Sequence, residues 1–209
     1  MAWCAGTAAA RGGETVREQE MVADFSRFGM ARNAPPRPAE VGEDDGGAPR
    51  LTATEAAVLA TPELIRHILD RHHTGHRRDL AELIPLARRV ERAHAGHAAC
   101  PEGLVELLAA VRDELETHME KEEEVLFPMM LVGGSPVIAG PIACMVEEHD
   151  DFLEQLDRLE EMAGTAPPGA CGTWTALCER LARFVAEARN HVLLENDILF
   201  PRYGVPLMK

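Results

Sequence analysis

From residue 62 onward the apolar residues return in steps of three and four, the spacing of a helix that buries one stripe and exposes the rest. Four segments carry this pattern: A (about 62 to 93), B (102 to 131), C (141 to 163) and D (172 to 200). Their connections are short and rich in Gly and Pro, which favours antiparallel neighbours. The expectation is an all-α fold, an up-down-up-down four-helix bundle. Thr61-Pro62-Glu63 predicts the start of A, with Thr61 as N-cap, a proline at the first helical position and an acid in the first turn. Pro85 predicts a kink in A, and Pro128 and Pro201 the closing of B and D.

Upstream the pattern changes. Val16, Met21, Val22, Phe25, Phe28 and Met30 keep helical spacing, whereas 33 to 50 is dense in Pro, Gly and acid and holds no core. The predicted organisation is a short helical N-terminal element and flexible linker over 1–50, then the bundle over 51–209, with room for one more short helix in 51 to 60.

The buried stripes carry polar residues. Along B the stripe runs Leu104, Leu108, Val111, Leu115, His118, Glu122, Val125, Met129. Along D it runs Trp174, Leu177, Leu181, Phe184, Ala188, His191, Glu195, Ile198, and along C it runs Ile142, Met145, His149, Phe152, Leu156, Leu159. A buried carboxylate without a partner is expensive, and no Lys or Arg falls in these registers. Several imidazoles and carboxylates converging at one level of a bundle are what a metal ion resolves.

An internal repeat sharpens this. HMEKEEEVLFP (118 to 128) and HVLLENDILFP (191 to 201) share His, Glu four residues later, then a β-branched residue, Leu, Phe and Pro at the same offsets. Each is preceded by a histidine on the helix before, His73 for one and His149 for the other. The bundle therefore reads as two helical hairpins, each giving one His plus an HxxxE pair whose members share a helix face. One HxxxE is weak, since in so acidic a chain it arises by chance about one time in ten. Two, in core register and with the same tail, point to metal. Four imidazoles and two carboxylates suit a dinuclear centre with Glu122 and Glu195 bridging, two histidines per metal and a solvent-derived bridge. That donor set fits iron or manganese rather than a sulfur-rich zinc site.

On A, His72, His73 and His76 lie together, and both His73 and His76 fit the stripe Leu69, His73, His76, Leu80, Leu83. Periodicity does not choose between them. Apart from the ligands, the runs Glu120 to Glu124 and Glu147 to Asp151 read as solvated faces, and His67, His94 and His97 as surface residues.

Composition narrows the partners. The 209 residues carry a formal net charge of -14, spread along the helices, which disfavours nucleic acid as a partner. The five cysteines show no CxxC or zinc-finger spacing, so the expectation is free thiols in a reducing compartment. No segment reaches the ~20 apolar residues of a membrane span and no signal peptide is visible, so a cytoplasmic location is expected.

RHHTGHR, HMEKEEEVLFPMM, GPIACMVEEHDD, TWTALCE and HVLLENDILFPR, from about 62 to 203, resemble the repair-of-iron-centres family, hemerythrin-like di-iron proteins. The resemblance implies a hemerythrin-like bundle and the ligands His73, His118, Glu122, His149, His191 and Glu195, which settles segment A in favour of His73. It implies two iron ions, oxo- or hydroxo-bridged, with Glu122 and Glu195 bridging. It also implies repair of iron-sulfur clusters damaged by nitrosative or oxidative stress, through iron donation or nitric oxide handling, with damaged iron-sulfur proteins, NO and O2 as partners. The alternative is a carrier, scavenger or sensor of O2 or NO, and the chain is expected to be a monomer or homodimer. A ferritin-like oxidase is disfavoured, because such sites use ExxH and more carboxylates. The family usually carries a Cys-Cys pair followed by glycines near its start; here Asn33 and Ala34 stand in the matching stretch.

Overall fold

The computed structural model describes residues 49–204. The predicted N-terminal element and linker lie outside them, except for residues 49 and 50. Helix α1 (Ala53–Val58) opens with a capping box: Thr52 Oγ1 accepts from the Glu55 N–H, and the Glu55 carboxylate accepts from the Thr52 N–H at 2.8 Å. Segment A is α2 (Thr61–His67), a π-helical stretch (Ile68–His73) and α3 (Thr74–Ala93). Segment B is α4 (Leu104–Lys121), a π stretch (Glu122–Leu126) and α5 (Phe127–Leu131). Segment C is the single helix α6 (Ala139–Ala163). Segment D is α7 (Gly172–Leu193), a π stretch (Leu194–Leu199) and a 3-10 turn (Phe200–Tyr203). Helix α3 packs on α4 and α7, and α6 packs on the same two, which closes the four-helix bundle. No helix among the described residues is long and apolar enough to cross a membrane.

Three details differ from expectation. The N-cap of α2 is Ala60, whose N–H donates to the Glu63 carboxylate (3.2 Å). The Thr61 hydroxyl instead accepts from Arg202 (3.1 Å), which also donates to the Leu59 and Ala56 carbonyls and so ties α1 to the end of segment D. Pro128 does not close B: it sits in the first turn of α5, where its missing N–H is harmless. Pro85 is carried within α3 on its exposed side. Cys100, Cys171 and Cys178 are free thiols, but Cys144 is disulfide-bonded, against the expectation of free thiols throughout.

The π stretches also move the core register. A π turn inserts one residue, so the buried stripe after it advances by one. Leu126 and Met130 are buried where Val125 and Met129 were expected, and Leu199 where Ile198 was. Ile68 replaces Leu69 in segment A for the same reason. Helix α6, which has no π stretch, buries every residue of its predicted stripe. One apolar layer, including Leu83, Leu108, Leu159, Trp174 and Leu177, fills the end of the bundle near the A–B and C–D connections. A second, including Ile68, Leu126, Phe127, Ile142, Leu199 and Phe200, fills the other end. The polar level lies between them, shielded from water on both sides.

Candidate metal centre

Each π stretch meets the polar level: the first ends on His73, the second begins at Glu122 and the third contains Glu195. π turns are rare, and one at each of these residues widens the helix where a side chain must reach the bundle axis. All six predicted residues come together. His73, Glu122, His149, His191 and Glu195 are at most 1% exposed, and His118 is 6% exposed. They form two sets, His73–Glu122–His191–Glu195 and His118–Glu122–His149–Glu195. Within each set, one ligand atom from every residue lies within 4.8 Å of the others, and both glutamates belong to both sets.

The arrangement follows the internal repeat. Glu122 Oε2 lies 3.3 Å from His73 Nε2 and 3.5 Å from His118 Nε2. Glu195 lies 3.1 Å from His149 Nε2 and 3.0 Å from His191 Nε2. The shared Phe plays the same part twice: Phe127 stacks near the His73 ring (5.7 Å between centroids) and Phe200 near His149 (5.9 Å).

The outer nitrogens hold the rings. His73 Nδ1–H donates to Glu123 (2.7 Å), His118 Nδ1–H to Glu148 (3.0 Å) and His149 Nδ1–H to the Asn196 side-chain oxygen (2.9 Å). Arg77 in turn holds Glu123, and Lys121 holds Glu148. With Nδ1 protonated, each of these three rings turns its Nε2 lone pair inward, the tautomer that binds metal. The runs read as solvated faces therefore contain two carboxylates with a fixed task. Periodicity placed Glu123 and Glu148 off the core stripe and carried no signal of the partner each finds on a neighbouring helix.

Facing the centre, the Nε2 atoms of His73, His118, His149 and His191 and both oxygens of Glu122 and Glu195 have no hydrogen-bond partner in the protein. So many buried, unsatisfied polar atoms pointing at one another are costly without an ion. The donor set therefore fits a pair of metal ions.

Electrostatics in the metal-free chain says the same. Burial and the facing Glu195 carboxylate hold Glu122 well above the usual carboxylate range. At Glu195 burial is outweighed by His191 and His149, which hold it well below that range. Burial lowers His118 to about 4 against the Glu148 bond, and it lowers His191 as well. A divalent ion replaces these uneven proton affinities with one shared partner.

Two further histidines are buried at this level. His72 and His76 are at most 1% exposed and surround His191, with ring centroids 5.3 and 5.2 Å from its own. Burial lowers His72 to about 2 and holds His76 well below its ordinary value. His67 is half-buried; His94 is half-buried against Trp174, and only His97 is exposed. On the opposite side a cleft of about 460 Å³ reaches His118 and His149 and is lined by Asp113, Thr117, Lys121 and Glu148.

Residues 64–203 match the model of the hemerythrin HHE cation binding domain. The chain is 41% identical over 166 residues to the iron-sulfur cluster repair protein YtfE of Musicola paradisiaca, covering 78% of this chain and 74% of that protein. It is 45% identical over 150 residues to the protein of the same name in Cronobacter sakazakii, covering 71% and 67%. The figure for Dickeya chrysanthemi is 44% over 142 residues, covering 67% and 64%.

Proposed function

The chain belongs to the hemerythrin HHE cation-binding family, and from that premise we propose that it repairs iron-sulfur clusters, the activity its relatives' names describe, and that the damage it answers is nitrosative or oxidative. The observation that carries the reading is the interlocking of two four-residue sets on two shared carboxylates. On this reading Glu122 and Glu195, which belong to both sets, would be shared by two irons, one of them also held by His73 and His191 and the other by His118 and His149. Iron held there would supply a redox-active Lewis acid, and on this reading it would also be the cargo of repair.

The chain's own part is to present lone pairs and to keep water away. Glu123, Glu148 and Asn196 fix three imidazoles with Nε2 inward. The apolar layers on either side lower the local dielectric and exclude competing ligands. Six protein ligands for two metals, with no thiolate among them, leave an under-filled shell, which suits a site that must let its metal go. The six ligands lie within the segment 51–209, and deleting residues 1–50 is expected to leave the spectrum of the iron-loaded protein unchanged. The cleft beside His118 and His149 favours a second element of the reading, direct handling of NO or O2.

Purified protein is expected to hold about two irons per chain, measured by metal analysis and Mössbauer spectroscopy. The reduced protein, incubated anaerobically with a damaged iron-sulfur enzyme, is expected to restore that enzyme's activity as its own iron falls. If activity does not return while the iron stays in place and cycles gas reversibly, the protein is a carrier.

A further inference from the structure

The two hairpins repeat each other closely enough to show where the repeat is broken. The residue after each glutamate braces the single histidine of its own hairpin, Glu123 for His73 and Asn196 for His149. The residue before His149 is Glu148, which braces His118 across the bundle. By the same relation the residue before His73 should brace His191. That residue is His72. Its ring stacks on His191 at 5.3 Å, with 5° between the planes, and takes no hydrogen bond from it. His191 Nδ1 is accordingly left without a partner, alone among the four imidazoles of the two sets.

His72 and His76 are unsatisfied as well: both ring nitrogens of His72 and Nε2 of His76 are buried without a hydrogen bond. Around them the packing is apolar, with Phe184 meeting His76 edge-on. Outward, the His72 ring lies 5.7 Å from that of half-buried His67, and its Nδ1 lies 3.9 Å from Glu187, which Arg71 holds near the surface. A line of free imidazole nitrogens therefore runs from the least braced ligand toward solvent.

We propose that iron leaves the centre on the His191 side, with His72 and His76 as the imidazole station that receives it. This rests on the di-iron repair reading above. The first step is ligand exchange at a ferrous ion: the bond to His191 Nε2 breaks as one from a ring nitrogen of His72 or His76 forms, the bonds to His73, Glu122 and Glu195 break as the ion passes outward, and neither electron nor proton moves. Among the described residues the two histidines join no set with ligand atoms within 4.8 Å of one another.

The test uses full-length, iron-loaded protein reduced with dithionite, with iron release to a ferrous chelator followed by absorbance. The double variant His72→Phe/His76→Leu is expected to keep two irons and the spectrum of the loaded protein, while release slows about tenfold. His72→Glu, which restores the missing brace, is expected to slow release to a similar degree, and Glu124→Gln to leave it unchanged. If the apolar double variant loads poorly, His72→Gln/His76→Gln keeps a polar pair with weaker donors and is expected to release slowly too. Wild-type release from either fully loaded double variant overturns the proposal. Failure of the parent protein to load two irons sinks the di-iron reading instead.

Discussion

The first hairpin, segments A and B, and the second, segments C and D, give the same three ligands in the same order, yet they hold them differently. His118 of the first is clamped by Glu148 of the second, which Lys121 also holds, and it faces a cleft. Its counterpart His191 is clamped by nothing and is packed among His72 and His76. The inward-facing atoms obey the repeat, because two metals sharing two carboxylates demand matching geometry from both hairpins. The outward-facing atoms escape that demand, so each hairpin has been free to differ in how firmly it holds its rings.

The largest effect expected is from the shared carboxylates. Glu122→Ala or Glu195→Ala each removes a donor from both sets, and iron per chain should fall from about two to near zero by metal analysis. Retention of one tightly held iron in either variant would show that the two sets are independent and the comparison misplaced.

Next comes the pH dependence of the metal-free protein. His118 at about 4 and His72 at about 2 both lie below the unfolded value of 6.5. The unfolded chain thus binds their protons first, and stability is lost as pH falls below 6.5, by about 3 kcal/mol for His118 once pH reaches its folded value. Glu122 has the opposite sign: its raised value stabilises below 4.5, and that contribution is lost as pH rises through the folded value. Chelator-treated protein should therefore weaken in urea between pH 6.5 and 4. His118→Gln should flatten that window only, and His72→Phe should flatten it and the range below 4 as well.

Smaller effects separate the braces. Glu148→Ala and Glu123→Ala should each weaken metal binding about 10- to 100-fold in a competition titration. The weaker, neutral acceptor in Asn196→Ala should place that variant at the low end. Glu124 is exposed and touches no ligand, so Glu124→Ala should have no measurable effect. Equal losses from Glu123→Ala and Glu124→Ala would mean that the His73 bond does not hold the ring.

Much of this was legible along the chain. Helix α6 could be read residue by residue, His149 included, because a regular helix repeats every 3.6 residues and its buried stripe follows from that alone. The HxxxE repeat brought out Glu122 and Glu195, since four residues return a side chain to the same face. Segments A, B and D lost register partway, at Leu69, Val125 and Ile198, because a π turn adds a residue that no periodicity reveals in advance. On segment A periodicity admitted both His73 and His76 and left His72 off the stripe, yet all three are buried.

The hydrophobic pattern and the repeat by themselves thus determined the bundle, its two hairpins and five of the six residues that meet at its centre, while the choice of His73 over His76 came from the family resemblance. Periodicity reports which face of a helix turns inward and nothing of what a neighbouring helix sets against the outer half of a ring. The bonds from His73, His118 and His149 to Glu123, Glu148 and Asn196, and the lack of one at His191, were decided only when four helices packed together. Each is a short-range, directional contact between residues as much as 50 positions apart.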